Sequence, residues 1–214
     1  MATTFLISGN GTGIGKTFVT LMLLEELARR GFRVGVMKPV ETGLQNLKEG
    51  KSDGELLLKK VRELNPAFHQ IQLEDISPFR FQLPASPAIA GRVNPFVILQ
   101  KYRYIRKYSD IILVEGAGGL LVPLTESLLI LDLLFLLSAQ PVLVFGSRLG
   151  IINDFHLNRA FLKSRGIEYL WGVNLIDESY WEITHPYLQR FNPLFFQLNL
   201  SKIVDQMLEM PERG

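Results

Sequence analysis

Residues 9–18 read GNGTGIGKTF, and they follow the apolar run Phe5-Leu6-Ile7. Glycines let a backbone fold tightly and turn its N–H groups toward one point. A helical pattern begins at Lys16, and the free N–H groups and dipole of a helix N-terminus attract anions. An apolar strand, a glycine-rich turn, Lys-Thr and a helix together predict a P-loop. Lys16 would reach the β- and γ-phosphates of a nucleoside triphosphate, and the Thr17 hydroxyl would bind Mg²⁺.

The spacing of this loop departs from the usual G-x-x-x-x-G-K-[ST] pattern. That pattern requires glycine at position 10, which is Asn10, whereas Gly9 stands one residue earlier. The alternative is a glycine-rich strand–helix turn with an incidental lysine. The preceding strand, the following helix and the intact Gly15-Lys16-Thr17 favour the P-loop.

Short apolar runs alternate with helical patterns along the chain, which is typical of an α/β fold with a parallel sheet between two layers of helices. We therefore predict one three-layer domain over residues 1–214. The predicted strands are 4–8, 33–37, 111–114, 141–145, 169–175 and, as a weaker sixth, 194–197. Ligands of such sheets bind at the carboxyl ends of the strands, so the loops after residues 8, 37, 114, 145 and 175 should line the site.

The composition narrows the class of function. A net charge of +2 argues against a general polyanion binder. The basic, tyrosine-rich segment 101–108 could contact nucleic acid, but we interpret it as the solvated face of a helix. Absence of cysteine excludes disulfides and a Cys nucleophile. Segment 128–137 is too short to span a bilayer and indicates a buried or subunit-interface helix. We expect a cytoplasmic protein that binds neither nucleic acid nor membrane.

Two further strand ends carry charged residues. Lys38, in the segment KPVETG at 38–43, follows the second strand, and a second lysine there indicates another anion besides the nucleotide; the alternative is an exposed lysine. Glu115, in EGAGG at 115–119, follows the third strand, where nucleotide hydrolases hold the Mg²⁺ shell. Asp53 could join it, although Ser52 or Asp53 could equally cap a helix.

In order along the chain, these segments resemble the dethiobiotin synthetase family. The shared segments are G-x-x-x-x-x-G-K-T at 9–17, K-P-V-x-T-G at 38–43, S-D at 52–53, P-x-S-P at 84–87, V-E-G-A-G-G at 114–119, L-G-x-I-N at 149–153 and V-N at 173–174. The resemblance implies a P-loop NTPase-like fold and an ATP- and Mg²⁺-dependent ligase. It would carboxylate 7,8-diaminononanoate with CO₂ and close a cyclic urea through a carbamate and a carbamic–phosphoric anhydride.

The resemblance also assigns roles to residues. It implies that Lys16 and Lys38 are catalytic and that Thr17, Asp53 and Glu115 hold the metal. The implied nucleotide contacts are Gly13, Ile14, Gly15, Lys16, Thr17, Phe18, Asp53, Glu115, Gly116, Ala117, Gly118 and Asn174. The implied substrate contacts are Thr12, Lys38, Thr42, Gly118, Gly150, Ile151 and Asn153. The 150–153 segment would receive the substrate carboxylate at the site of the other subunit of a homodimer, and Asn174 would contact adenine; the alternative for 150–153 is a simple strand–helix turn.

Several positions depart from the family pattern. Gly13 replaces a frequent acidic residue, Ala88 and Asp154 replace histidines, and the G-x-I-P segment that closes over the base is not evident near residues 196–199. These departures leave base selectivity open. Rival interpretations are a ParA/MinD-like switch ATPase, a related amidating ligase and a nucleotide-binding protein without catalysis. A ParA/MinD-like ATPase would carry lysine where Gly11 stands. An amidating ligase would need a Cys nucleophile, and the chain has no cysteine. The retained Lys16 and Lys38 argue against a protein without catalysis.

Overall fold

The computed structural model describes residues 2–44 and 52–211. Its main sheet has six strands in the order β2-β5-β1-β6-β7-β8, and every neighbouring pair is parallel. A second, two-stranded parallel sheet joins β3 and β4. The strands are β1 Thr3–Gly9, β2 Val34–Met37, β3 Val40–Glu41, β4 Phe79–Arg80, β5 Ile111–Gly119, β6 Gln140–Gly146, β7 Leu170–Asn174 and β8 Leu194–Phe195.

Helices connect these strands and cover the sheet. The α-helices are α1 Lys16–Arg29, α2 Asp53–Leu64, α3 Leu73–Ile76, α4 Pro87–Ala90, α5 Pro95–Ile105, α6 Leu133–Leu136, α7 Ile151–Ser164, α8 Tyr180–Ile183, α9 His185–Leu188 and α10 Phe196–Glu209. Short 3₁₀ turns occur at Pro66–Gln70, Arg106–Tyr108, Ile130–Asp132 and Gln189–Phe191. The parallel α/β fold predicted from the alternating pattern is confirmed.

The strand β1 lies in the middle of the sheet, between β5 and β6, and nearly all of its side chains are buried. Its apolar residues therefore pack on both faces, as a continuous hydrophobic run predicts. Its carboxyl end leads directly into the glycine-rich loop, and α1 begins at Lys16. This order places the loop at the centre of the sheet edge where ligands of α/β proteins bind.

Several elements differ from the sequence-based expectation. The strand β5 continues to Gly119, five residues beyond the predicted end at 114. The sixth strand is only Leu194–Phe195, because α10 begins at Phe196. The predicted helix at 128–137 is a 3₁₀ turn followed by the four-residue α6. The small β3–β4 sheet was not predicted, since neither strand exceeds two residues.

The basic helix α5 is only partly a solvated face. Tyr102 within it is 4% exposed, and its hydroxyl lies 2.8 Å from the hydroxyl of Thr4 on β1. The tyrosine at this position therefore packs inside the protein. Over the described ranges 2–44 and 52–211, the helices are all too short or too polar to cross a membrane.

Candidate active site

A cavity of about 780 Å³ opens at the carboxyl ends of β1, β2 and β5. It brings together residues from segments that are far apart in the sequence. The predicted site residues that line it are Thr12, Gly13, Gly15, Lys16, Thr17, Lys38, Thr42, Asp53, Glu115, Ala117 and Gly118. The strand-end rule thus places the P-loop, the 38–43 segment and the 115–119 segment around one space.

The glycine-rich loop has a backbone that only glycine adopts easily. Gly13 and Gly15 have φ angles of 69° and 82°, in the left-handed region. Lys16 is 7% exposed, and its ammonium donates to the carbonyl of Gly11 across the loop. Burial and then the neighbouring charge of Lys38 lower the pKa of Lys16 to about 8. An anion in the cavity would oppose both effects and favour the charged lysine.

Lys38 is buried between two carboxylates. Its ammonium donates to Glu115 Oε1 at 2.5 Å and to Asp53 Oδ2 at 3.1 Å. Burial acts to lower the pKa of Lys38, but the charges of Glu115 and Asp53 outweigh it, so the pKa lies above its ordinary value. Burial likewise acts to raise the pKa of Asp53, and Lys38 reverses that effect and lowers it. Lys38 is therefore a fixed positive charge in the cavity wall.

Glu115 also accepts two hydrogen bonds from α1. The hydroxyl of Thr17 donates to Oε1 and that of Thr20 to Oε2, each at 2.8 Å. The spacing of three residues puts both threonines on one face of α1, toward β5. Sequence reasoning missed Thr20, although this T-x-x-T spacing could have identified it.

The donors around Lys38 suit a hard divalent cation. The hydroxyl of Thr17 and the carboxylates of Asp53 and Glu115 provide oxygen ligands, and the ammonium of Lys38 already occupies the space between the two carboxylates as a positive charge. Among the described residues, no three His, Cys, Asp or Glu side chains converge. Such a sparse set fits Mg²⁺, which keeps several waters and binds through one or two carboxylates and substrate phosphates.

Asp53 is placed by the start of α2. Ser52 is the N-cap: its hydroxyl accepts from Glu55 N at 3.2 Å, and the Glu55 carboxylate accepts from Ser52 N at 2.9 Å. The capping role therefore belongs to Ser52, and the Asp53 carboxylate is left to face the cavity. Glu41, which is 4% exposed, accepts from Gly54 N at 2.9 Å and from the Ser77 hydroxyl at 3.0 Å. Sequence reasoning missed Glu41, because its partners lie on elements whose arrangement the sequence does not reveal.

Four of the predicted nucleotide contacts do not line the cavity: Ile14, Phe18, Gly116 and Asn174, the last of which is described below. Ile14 is 5% exposed and belongs to the hydrophobic core, whereas the Phe18 ring is 51% exposed on α1. A Cβ atom at Gly116 would lie 2.9 Å from Ile130 Cγ2, so this glycine permits close packing beneath the strand end. The side chains of Ile14 and Phe18 therefore form no part of the cavity wall.

The predicted carboxylate-binding segment lies elsewhere. Gly150, with φ of 99°, precedes α7, and Ile151 and Asn153 are in its first turn. None of the three lines the cavity. Asp154 in the same turn accepts from the Asn10 side chain at 2.8 Å, so this helix end contacts the P-loop.

Asn174 is 1% exposed, at the end of β7. Its amide nitrogen donates to the carbonyl of Ile14 at 2.8 Å, and its amide oxygen accepts from the Gln197 side chain at 2.6 Å. The structure thus places Asn174 beside the P-loop with both ends of its amide already paired. Gln197 was not identified from the sequence.

The other side of the cavity is largely apolar. Beyond Thr42, its wall is formed by residues of the β3 region and of the segments before α4 and after β5. The apolar ones are Val40, Leu44, Pro84, Ala85, Pro87 and Val122, and Glu41 and Ser86 lie among them. The cavity therefore joins a charged end at the P-loop to a surface that suits a hydrocarbon chain.

Comparison with known proteins identifies the family. An AAA domain family matches residues 3–194. The ATP-dependent dethiobiotin synthetase BioD of Sulfurovum sp. (strain NBC37-1) is 40% identical over 195 residues, which cover 89% of this chain and 91% of that protein. The corresponding protein of Wolinella succinogenes is 36% identical over 201 residues, or 90% of this chain and 91% of that protein.

Solved structures agree on the fold. The MinC:MinD cell division protein complex of Aquifex aeolicus matches with a TM-score of 0.52 and 17% identity, covering 96% of this chain and 86% of that chain. At this identity the likeness concerns the P-loop NTPase-like architecture alone. The family assignment comes from the sequence relatives, and they agree with the segments at the strand ends: the chain belongs to the ATP-dependent dethiobiotin synthetase family.

Proposed function

We propose that this protein uses ATP to carboxylate 7,8-diaminononanoate with CO₂ and to close the product to dethiobiotin. The observation that carries the proposal is the convergence of Lys16, Lys38 and the Thr17–Asp53–Glu115 oxygen donors on one cavity. Two cations in a partly closed space can stabilise charge on a transferring phosphoryl group and on a carbamate. The adjoining apolar wall suits the hydrocarbon chain of the diamine.

The reaction needs positioned charges and no protein nucleophile. One amine of the substrate adds to CO₂ and loses a proton, giving a carbamate. A carbamate oxygen attacks the γ-phosphorus of ATP, the bond to ADP breaks, and a carbamic–phosphoric anhydride forms. The second amine then attacks the carbonyl carbon and loses a proton, the ureido ring closes, and phosphate leaves with the former carbamate oxygen.

The side chains of the cavity match these charges. In the proposal, Lys16 binds the β- and γ-phosphates, with Gly13, Gly15 and Phe18 contributing backbone N–H groups. Lys38 holds the carbamate oxygen near the γ-phosphate, because Glu115 and Asp53 keep it charged. Thr12, Thr42 and the backbone of Gly118 contact the diamine or carbamate.

Thr17, Asp53 and Glu115 would hold Mg²⁺. When bound, the ion would neutralise negative charge on the β- and γ-phosphates. The carboxylates that would hold it are the ones that hold Lys38, so the ion and the lysine share a single anionic pair.

In this proposal Lys16 and Lys38 bind the phosphates and the carbamate, so neither lysine binds the carboxylate at the end of the substrate chain. We propose that it binds at the N-terminus of α7 of a second subunit, where Gly150, Ile151 and Asn153 offer N–H groups. Leu149, in the turn before α7, is 91% exposed. An apolar side chain this exposed supports the proposal that the other subunit covers the turn. The enzyme would then be a homodimer, and its use of ATP suits a cytoplasmic location.

Subunit mixing tests the shared site. Lys38→Ala removes a residue from one side of each site, and Gly150→Glu places an anion at the other side. Each variant alone should be inactive, whereas an equal mixture should recover about a quarter of the wild-type activity in mixed dimers. No recovery from a mixture that native mass spectrometry shows to contain mixed dimers would overturn the shared site.

An oxygen label tests the anhydride. With C¹⁸O₂ and unlabelled ATP, the proposal predicts one ¹⁸O atom in each released phosphate, measured before the label exchanges with water. Phosphate without label, released together with dethiobiotin, would rule out attack by the carbamate oxygen. Competition among nucleoside triphosphates, run in the same assay, would measure base selectivity.

A further inference from the structure

Two side-chain amides connect the first turn of α10 to the phosphate-binding loop. Gln197 Nε2 donates to Asn174 Oδ1 at 2.6 Å and to the carbonyl of Leu175 at 3.2 Å, and Gln197 Oε1 accepts from Leu175 N at 3.1 Å. Asn174 Nδ2 then donates to the carbonyl of Ile14 at 2.8 Å. These hydrogen bonds connect the backbone N–H of Leu175, just after β7, to the backbone carbonyl of Ile14 in the P-loop.

The backbone fixes the orientation of both amides. The N–H of Leu175 can only donate, so the atom of Gln197 that faces it must be the oxygen. The Gln197 nitrogen must then face Asn174, and only the Asn174 oxygen can accept from it. The Asn174 nitrogen is left to face the Ile14 carbonyl, which can only accept. Gln197 and the Ile14 carbonyl thus both favour the same orientation of the Asn174 amide.

This orientation bears on the conformation of the loop. The peptide between Ile14 and Gly15 is planar and trans, so its carbonyl and its N–H point in opposite directions. Because Asn174 holds the Ile14 carbonyl, the Gly15 N–H is directed away from Asn174. We propose that Gln197 is a positioning residue that, through Asn174, keeps the Gly15 N–H aimed at the bound phosphates. The inference rests on the proposed use of the P-loop to bind ATP.

The packing at this point leaves little freedom for another arrangement. Asn174 is 1% exposed, and a Cβ atom at Gly15 would lie only 2.2 Å from Asn174 Nδ2. Ile14 is held in the core beneath Gly9 and Gly146, where added Cβ atoms would lie 2.4 Å and 3.0 Å from its side chain. Rotation of the 14–15 peptide therefore requires the loss of the Asn174 hydrogen bond, and in our proposal Gln197 opposes that loss by holding the other end of the Asn174 amide.

The test measures binding of inorganic tripolyphosphate and of ATP, each with Mg²⁺, by calorimetry. Gln197→Ala should weaken both ligands by a similar factor of about three to ten, the loss expected for one neutral hydrogen bond. Gln197→Glu should weaken them more, because a carboxylate cannot donate to the Asn174 oxygen. The matched control is Gln206→Ala, on the same helix and away from the loop, which should leave both affinities unchanged.

The other outcomes would overturn the inference. A lower melting temperature with unchanged tripolyphosphate affinity would mean that Gln197 only stabilises the fold. A loss confined to ATP would mean that it acts at the nucleoside. A further variant, Lys16→Ala, distinguishes failure of the inference about Gln197 from failure of the proposed function. If Lys16→Ala binds tripolyphosphate as tightly as the wild type, the P-loop assignment itself is wrong.

Discussion

The ammonium of Lys38 lies 2.5 Å from the carboxylate of Glu115, and the two residues are 5% and 0% exposed. The parallel pairing of β2 with β5 creates this contact, because Met37 and Val114 are register partners and the residue that follows each of them lines the cavity. A buried charge pair of this kind is costly to break, since removing one partner leaves the other charge unpaired.

Removal of Lys38 should therefore affect both activity and stability. We expect Lys38→Met to reduce turnover by a factor of about 100 or more, because a fixed cation beside the reacting oxygens is lost. The free energy of unfolding should fall by about 3–5 kcal/mol, because Glu115 is left buried without its partner. Steady-state phosphate release and denaturant unfolding measure the two effects.

The double variant Lys38→Met/Glu115→Gln separates these effects. It removes both charges, so most of the lost stability should return while the activity stays low. Recovery of activity in the double variant would show that Lys38 serves only to neutralise Glu115.

Asp53 should set the requirement for Mg²⁺. Asp53→Asn removes one of two carboxylates that face the phosphate end of the cavity, so the Mg²⁺ concentration for half-maximal activity should rise by about tenfold or more. The matched control is Glu63→Gln, which changes an exposed carboxylate near the other end of the same helix, α2. An unchanged Mg²⁺ requirement in Asp53→Asn, measured at saturating ATP, would contradict the metal assignment.

Gly15 should tolerate no side chain. Gly15→Ala combines a φ of 82° with a clash 2.2 Å from Asn174 Nδ2, so the loop must change conformation and ATP binding should be lost. At Gly31 the φ is 91°, but an added Cβ meets nothing within 4 Å. Gly31→Ala should therefore cost about 1–2 kcal/mol of stability and keep ATP binding. Calorimetric titration with ATP distinguishes the two variants, and equal binding by both would refute this account of the loop.

Glu26 should contribute stability that disappears in acid. Its hydrogen bond from Arg29, helped by Arg30 and opposed by burial, lowers the pKa of Glu26 to about 2. A lowered pKa means that the folded state favours the carboxylate, so the contribution is complete above the ordinary pKa of about 4.5 and is lost as the pH falls through 2.

Glu26→Gln should therefore lower the free energy of unfolding by about 1 kcal/mol at pH 7 and by progressively less below pH 4. Denaturant unfolding across this pH range measures the difference. Glu25→Gln, at the neighbouring position, removes only an exposed ion pair with Lys60 and should cause a smaller loss of stability at pH 7. A difference for Glu26→Gln that grows toward low pH would contradict the sign of the shift.

Features coded by neighbouring residues could be predicted from the sequence. The P-loop and the start of α1 at Lys16 follow from glycine positions and from a hydrophobic run within about 25 residues of each other. The strand-end rule then placed Lys38 and Glu115 at the same edge, although it did not give their contact. That contact depends on strand order, which no local pattern contains.

Other features depend on tertiary structure and were missed or misjudged. The run at 194–197 has the composition of a strand, but α10 starts at Phe196 and directs Gln197 to Asn174. Glu41 lies in β3, which has only two residues and therefore no recognisable pattern. Its partners Gly54 and Ser77 come from two separate segments. In each case the decisive partner lies more than ten residues away, so periodicity and propensity carry no information about it.

The most direct test of the proposed function is phosphate release from ATP with Mg²⁺ and bicarbonate, measured with and without 7,8-diaminononanoate. We predict release that requires both the diamine and bicarbonate and that is matched mole for mole by a product with the mass of dethiobiotin. Slow release that is indifferent to the diamine, with no cyclic urea formed, would contradict the account and favour a switch ATPase.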